Sequence, residues 1–265
     1  MNRKRLHAVV AKEWLDMRKN KMVLIMMALL PLLMVGMILG TVYFMARLPE
    51  ADFDPQTGSS GMALPPELAA LGPKDGVIVL INDQYMFYLL LIPLALPVYM
   101  AAYSIIGEKE TRSLEPLLAT PVSTTEMLLG KTIAASAPAV VLTWLSFLLT
   151  AAGLYFIASP VVLAYWVRPV WSLSIAFHTP FLAVLSTACG VIASSRLNDP
   201  RAAQQVTALF VVPLITLSMV VLMGKVYLDM RLMGWATLVI AAVTVGVLWL
   251  AVRLFQRETI LTRWR

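Results

Sequence analysis

Charge is scarce in this sequence, and where it gathers it sets the available chemistry. Glu108, Lys109, Glu110, Arg112 and Glu115 form a mixed-sign cluster in a chain otherwise made of long apolar runs. Leu114, Leu117 and Leu118 give the same stretch an apolar edge. Opposite charges beside a leucine ridge suit contact with a partner, the charges steering the encounter and the ridge filling a groove. A short helix lying parallel to a membrane would present both; a cytosolic loop held to lipid headgroups by the same charges is the alternative. Thr120-Pro121 ends the segment, and Ser123 or Thr124 marks the start of another helix with Glu126 in its first turn.

The other reactive residue types stand alone. His178 has no carboxylate or cysteine constellation near it in sequence, so it reads as a hydrogen-bonded structural residue. Cys189 lies in an apolar run and reads as a small hydrophobe. Gly130-Lys131-Thr132 lacks the preceding glycine spacing of a phosphate-binding loop. The acidic excess between Arg47 and Asp83 fits a solvated loop more simply than a cation site. No catalytic residue and no metal site emerge. An intramembrane enzyme would need paired acids, histidines or an activated nucleophile inside its spans, and the candidate spans carry no Asp or Glu.

Stepping outward to the elements, the 265 residues are 60% hydrophobic and 14% charged, with a mean hydropathy of +0.80. Soluble domains sit near 45–50% apolar and about 25% charged, and a soluble domain of this size leaves too much surface to hide such a composition. The fold class is therefore an all-α polytopic membrane protein. The net charge of +6 does not indicate nucleic acid, because the basic residues flank apolar runs and form no separate basic domain. Membrane lipid is the expected neighbour.

Residues 3–19 place Leu6, Val9, Val10, Trp14 and Met17 on one side of a helix and charge on the other, including Lys12 and Glu13. That pattern fits an interfacial helix on an anionic leaflet; a ragged basic tail is the alternative. Six spans are expected at about 22–46, 84–107, 132–158, 171–195, 202–224 and 232–252. An external loop occupies 47–83, and the inner loop runs over 108–131. Pro93 and Pro97 make the second span the candidate hinge. The uncharged stretch Thr132 to Val167 would be about 54 Å long as one helix, too long for a ~30 Å hydrocarbon core. It is therefore ended near Ala158, and a re-entrant element is left open at 159–172 and at 213–224.

Charge orients the spans. Seven basic residues precede the first span, three lie in 108–131, two in 196–201 and four at the end, against five on the proposed outer segments. Both termini are thereby expected in the cytoplasm.

The run Gly107-Glu108-Lys109-Glu110, Ser113-Leu114-Glu115, Leu117 to Ser123, Glu126 and Leu129-Gly130-Lys131 resembles the loop after the second span of bacterial ABC-2 type permeases. The early Lys12-Glu13 before a first long span is similar to their opening, and six spans fit the length. The resemblance implies a single transmembrane permease domain over 1–265, type V exporter-like, with an amphipathic amino-terminal elbow at Lys12, Glu13 and Trp14. It implies a cytoplasmic coupling helix over about 111–120, with Glu108, Glu110, Arg112, Leu114, Glu115, Leu117 and Leu118 in coupling or partner contact. It further implies a multi-pass protein of the bacterial cytoplasmic (inner) membrane that exports a substrate. Two ABC ATP-binding subunits would carry ATP and Mg, a second permease, identical or homologous, would complete the assembly, and this chain would bind no cofactor and hydrolyse nothing. A non-transporting assembly or sensor subunit is the rival, and an intramembrane enzyme a further one.

Overall fold

Helices follow the apolar runs through nearly all of the described chain. The computed structural model describes residues 3–53, 64–110, 123–196, 208–223 and 228–254, together with 202 and 205. The helices are α1 (Arg3–Lys19), α2 (Lys21–Arg47), α3 (Pro66–Ala69), α4 (Pro73–Leu89), α5 (Leu91–Glu110), α6 (Thr124–Ile157), α7 (Pro160–Trp166), α8 (Pro169–Arg196), α9 (Ala208–Leu222) and α10 (Met230–Leu254). A 3-10 turn covers Glu50–Phe53, and no strand occurs among the described residues.

Among the described residues, five stretches are long and apolar enough to cross a membrane: Lys21–Arg47, Pro73–Glu108, Thr125–Ile157, Pro160–Ser194 and Met230–Leu254. Of the fifth expected span, 202–224, the described residues hold the helix α9, whose 15 residues reach about 22 Å at 1.5 Å per residue, short of a ~30 Å hydrocarbon core. α4–α5 and α7–α8 form the centre, with 72% and 67% of their most apolar windows buried, whereas α2 and α10 bury only 17% and 11%. The peripheral helices turn Leu32, Phe44, Trp235 and Trp249 outward, the arrangement that lipid solvates and water does not.

Local chemistry sets the helix ends. The Asn20 side chain accepts from the backbone N–H of Met22 at 2.9 Å and of Val23 at 3.2 Å, so the chain turns between α1 and α2 with the first orphan donors of α2 satisfied. Ser123 starts α6 with a reciprocal cap: its hydroxyl accepts from the Glu126 N–H, and its own N–H donates to the Glu126 carboxylate at 3.1 Å. Gly72 adopts φ +92° between α3 and α4, in the region that favours glycine.

Three expected boundaries move. The external loop does not extend to Asp83, because α4 starts at Pro73. Its charges are used locally: Lys74 donates to the Ala46 and Leu48 carbonyls at 2.8 Å, closing the end of α2. The break in the second span falls at Leu90, ahead of Pro93. Pro93 occupies the first turn of α5, where a backbone N–H has no helical partner to lose, so it starts the helix instead of bending it; Pro97 lies inside α5. The inner loop is shorter than 108–131, since α5 runs to Glu110 and α6 takes over from Thr124. Residues 159–172 form α7 and the start of α8, with Val162 and Trp166 buried.

Pro138 shapes the middle of α6. A proline has no N–H to offer the carbonyl four residues earlier, here Ala134. That carbonyl accepts instead from the indole N–H of Trp14, at 3.1 Å. A defect in one helix thus becomes the docking point for another.

Candidate functional site

Three helices meet at one end of the bundle around a set of buried charges. α1 contributes Lys12 and Glu13, α5 contributes Ser104 and Glu108, and α6 contributes Lys131. Ser104 and Glu108 stand one helical turn apart on the same face of α5. Glu13 is 2% exposed, Glu108 6% and Lys131 3%.

The Lys131 ammonium donates to Glu13 Oε1 at 2.7 Å and to Ser104 Oγ at 2.6 Å, and pairs with Glu108 Oε2 at 2.9 Å. Two hydrogen bonds and an ion pair thus converge on one ammonium group. The Ser104 hydroxyl in turn donates a hydrogen bond to Glu13 Oε2 at 2.6 Å. Lys12 closes the cluster from the outer side, paired with Glu108 and standing 3.4 Å from both Glu13 and Asp16. Two buried carboxylates therefore face two ammonium groups, which is the condition for keeping charge out of water.

The electrostatics agree with this geometry. Burial alone would push the Glu13 carboxyl up, but Lys131 and Lys12, with hydrogen bonds from Lys131 and Ser104, outweigh it and hold the carboxyl below its ordinary value. Burial pulls Lys12 down, and Glu13, Glu108 and Asp16 together more than reverse that, so its ammonium is held above the ordinary lysine value. Both groups are locked in their charged forms.

Close backbone approach makes the cluster possible. A Cβ added at Gly130 would stand 2.6 Å from Val9 Cγ1 and 2.9 Å from Val9 Cβ. Val9 and Glu13 share one face of α1, and Gly130 and Ala134 share one face of α6. The two helices meet along Val9 against Gly130, Glu13 against Lys131 and Trp14 against Ala134.

A second polar cluster lies further back along α4–α5, within α4. Asp83, 8% exposed, accepts from the Arg168 guanidinium and from the Trp171 indole N–H, each at 2.7 Å. From Asp83 to Glu108 the helical rod spans about 37 Å at 1.5 Å per residue, slightly more than a ~30 Å hydrocarbon core. The ion clusters thus bracket the apolar layer. Between them the buried His178 ring joins the Ser174 carbonyl at Nδ1 (2.9 Å) and the Thr237 hydroxyl at Nε2 (3.2 Å), tying α8 to α10.

Of the residues singled out in the sequence, Lys12, Glu13, Trp14 and Glu108 come together. Glu108 is turned into the bundle, with its carboxylate engaged by lysines of this chain. Glu110 is the last residue of α5. Arg112, Leu114, Glu115, Leu117 and Leu118, with the coupling helix expected around them, lie outside the described residues. Pro93 and Pro97 lie on α5, away from the charges. Sequence reasoning missed Ser104 and Lys131 as site residues. The usable signal was a small residue beside a lone lysine at the edge of an uncharged run, Gly130-Lys131. Both are helical, a conformation distinct from a phosphate-cradling loop.

A family model described as ABC-2 family transporter protein matches residues 7–232, a range that takes in every member of the ion cluster. No curated protein matches the chain.

Proposed function

The chain belongs to the ABC-2 family of transporter proteins, and from that premise we propose that it is the permease subunit of an ATP-driven exporter of the bacterial inner membrane. It is a membrane transport component, and two separate ATP-binding subunits supply the hydrolysis while a second permease, identical or homologous, completes the pathway. The one observation that carries this reading is the placement of the ion cluster. Lys131 joins α1, α5 and α6, and the segment 111–122 leaves from α5 and returns to α6. A force applied to that segment by a partner reaches both flanking helices within a turn or two of the cluster. Buried ion pairs resist independent movement of their helices, since separating them strands a charge. The displacement is then passed on as rigid-body motion of α1, α5 and α6 together.

The described charges fit this orientation. The basic excess supports a cytoplasmic side for 108–131, where an ATP-hydrolysing partner works, and α1 carries its charge at the same level. In this reading α1 is the amino-terminal elbow, residues 111–120 hold the coupling helix, and α9 belongs to the fifth of six crossings.

Reconstitution tests the proposal. The chain and its cognate ATPase, co-purified and placed in vesicles, are expected to show ATPase stimulation and ATP-dependent flux of an ion, lipid or drug. Charge reversal at Glu110 and Glu115 together should abolish the stimulation. Copurification with unchanged ATPase rate and no flux in any vesicle would instead identify a non-transporting subunit.

A further inference from the structure

A groove of about 370 Å³ lies between α1, α2 and α6, within the ~300–1,000 Å³ range of small-molecule sites. Its walls are Trp14 and Met17 of α1, Met27 of α2, and Pro138 and Val141 of α6, and Arg18 stands among the lining residues. We propose that this groove is a binding site for one anionic phospholipid, with the phosphate on the Arg18 guanidinium and an acyl chain along the apolar walls.

The argument rests on depth and charge. Arg18 lies two residues before Asn20, the residue that caps the first span, so its guanidinium stands at the level where headgroups begin. Met27 lies about 9 Å further into α2 at 1.5 Å per residue, within reach of an acyl chain whose phosphate is at Arg18. Arg18 is exposed, and no carboxylate pairs with it among the described residues. The acid nearest to it in sequence, Asp16, stands two residues away and so on another side of the helix, where Lys12 engages it. Lys19 and Lys21 follow Arg18 in the chain and are exposed, adding to the positive potential of this segment. A planar guanidinium takes a phosphate through two parallel N–H bonds, a geometry that a neutral or zwitterionic surface exploits less well because its net field does not favour the cation.

Trp14 and Pro138, which both line the groove, belong to the joint at which the indole donates to the carbonyl that the proline leaves free. A lipid seated there packs against both sides of that joint and holds α1 against α6. Occupancy makes the docking of α1 sensitive to the anionic content of the leaflet. This inference stands on the groove alone and does not depend on the transport role.

Native mass spectrometry of the full chain in detergent, titrated with phosphatidylglycerol or phosphatidylcholine of the same acyl composition, tests it. The expected result is one retained phosphatidylglycerol, bound more tightly than phosphatidylcholine. Arg18→Gln, an exposed substitution that leaves folding intact, should weaken phosphatidylglycerol about fivefold, the contribution of one basic residue at an anionic surface, and leave phosphatidylcholine unchanged. Val141→Trp, which fills the groove from a half-exposed position, should remove the retained lipid. Equal retention of the two lipids by the unsubstituted chain would overturn the proposal. So would phosphatidylglycerol binding that neither substitution alters.

Discussion

Val9 packs on the bare Cα of Gly130, so closely that a Cβ there would stand 2.6 Å from the valine Cγ1. No contact at that distance survives without movement, and what must move is a β-branched side chain with little rotamer freedom. Gly130→Ala should therefore push α1 away from α6 and loosen the ion cluster one residue along. Thermal unfolding of the purified chain should fall by several degrees, and Val9→Ala in the same chain should restore most of the loss. If Gly130→Ala alone melts like the parent, the close approach is not what sets the helix spacing.

Lys131 is the member of the cluster whose loss should cost most. Removing it leaves Glu13 and Glu108 buried with Lys12 as the remaining ammonium, and breaking a buried pair in this way costs about 3–5 kcal/mol. Lys131→Met is expected to be severely destabilised. Pairing it with Glu13→Gln removes the stranded charge and should recover a large part of the stability, so that the double variant is better than the sum of the two single ones. Additive losses would mean that the two side chains do not act as a unit.

The pH dependence follows from the directions of the shifts. Glu13 is held below its ordinary 4.5, so its stabilisation is fully present above that value and lost as pH falls through the depressed folded value. Lys12 is held above its ordinary 10.5, so its contribution is complete below that value and lost only as pH rises through the still higher folded one. The cluster is therefore at full strength across the neutral range. The stability difference between the parent and Glu13→Gln, followed by thermal melts against pH, should be flat from about pH 5 to 10 and shrink below about 4.5. A difference that persists unchanged into strong acid would show that the Glu13 carboxylate is not the stabilising species.

Legibility in the sequence tracked how local the deciding interaction is. α2 and α10 are uncharged runs bounded by basic residues, and one window of sequence suffices to see them. The acidic excess up to Asp83 reads as solvated loop, yet α4 begins at Pro73 and carries the Asp83 carboxylate, a poor occupant of a span unless it is paired. Its tolerance comes from Arg168 and Trp171, whose partnership only the folded chain creates. Lys131 was obscured in the same way, since its acceptors lie on α1 and α5. The prolines of the second span were expected to mark the break, but Pro93 sits where a helix begins and bends nothing there. His178 was legible through what its neighbourhood lacks, and its two hydrogen bonds show a ring that ties helices.

The carbonyl of Ala134 offers the sharpest test of how α1 is held. Trp14 donates to it only because Pro138 cannot. Trp14→Phe keeps most of the ring and leaves a carbonyl without a donor, at a cost of about 1–3 kcal/mol. Pro138→Ala gives α6 back the missing N–H, which then competes for the same oxygen. In that background Trp14→Phe should cost much less than it does in the parent, a coupling that a double-mutant cycle of melting or denaturant stability measures directly. If Trp14→Phe costs the same with alanine at 138, the indole N–H contributes nothing that the helix itself could supply, and α1 is held by its apolar face and its charges alone.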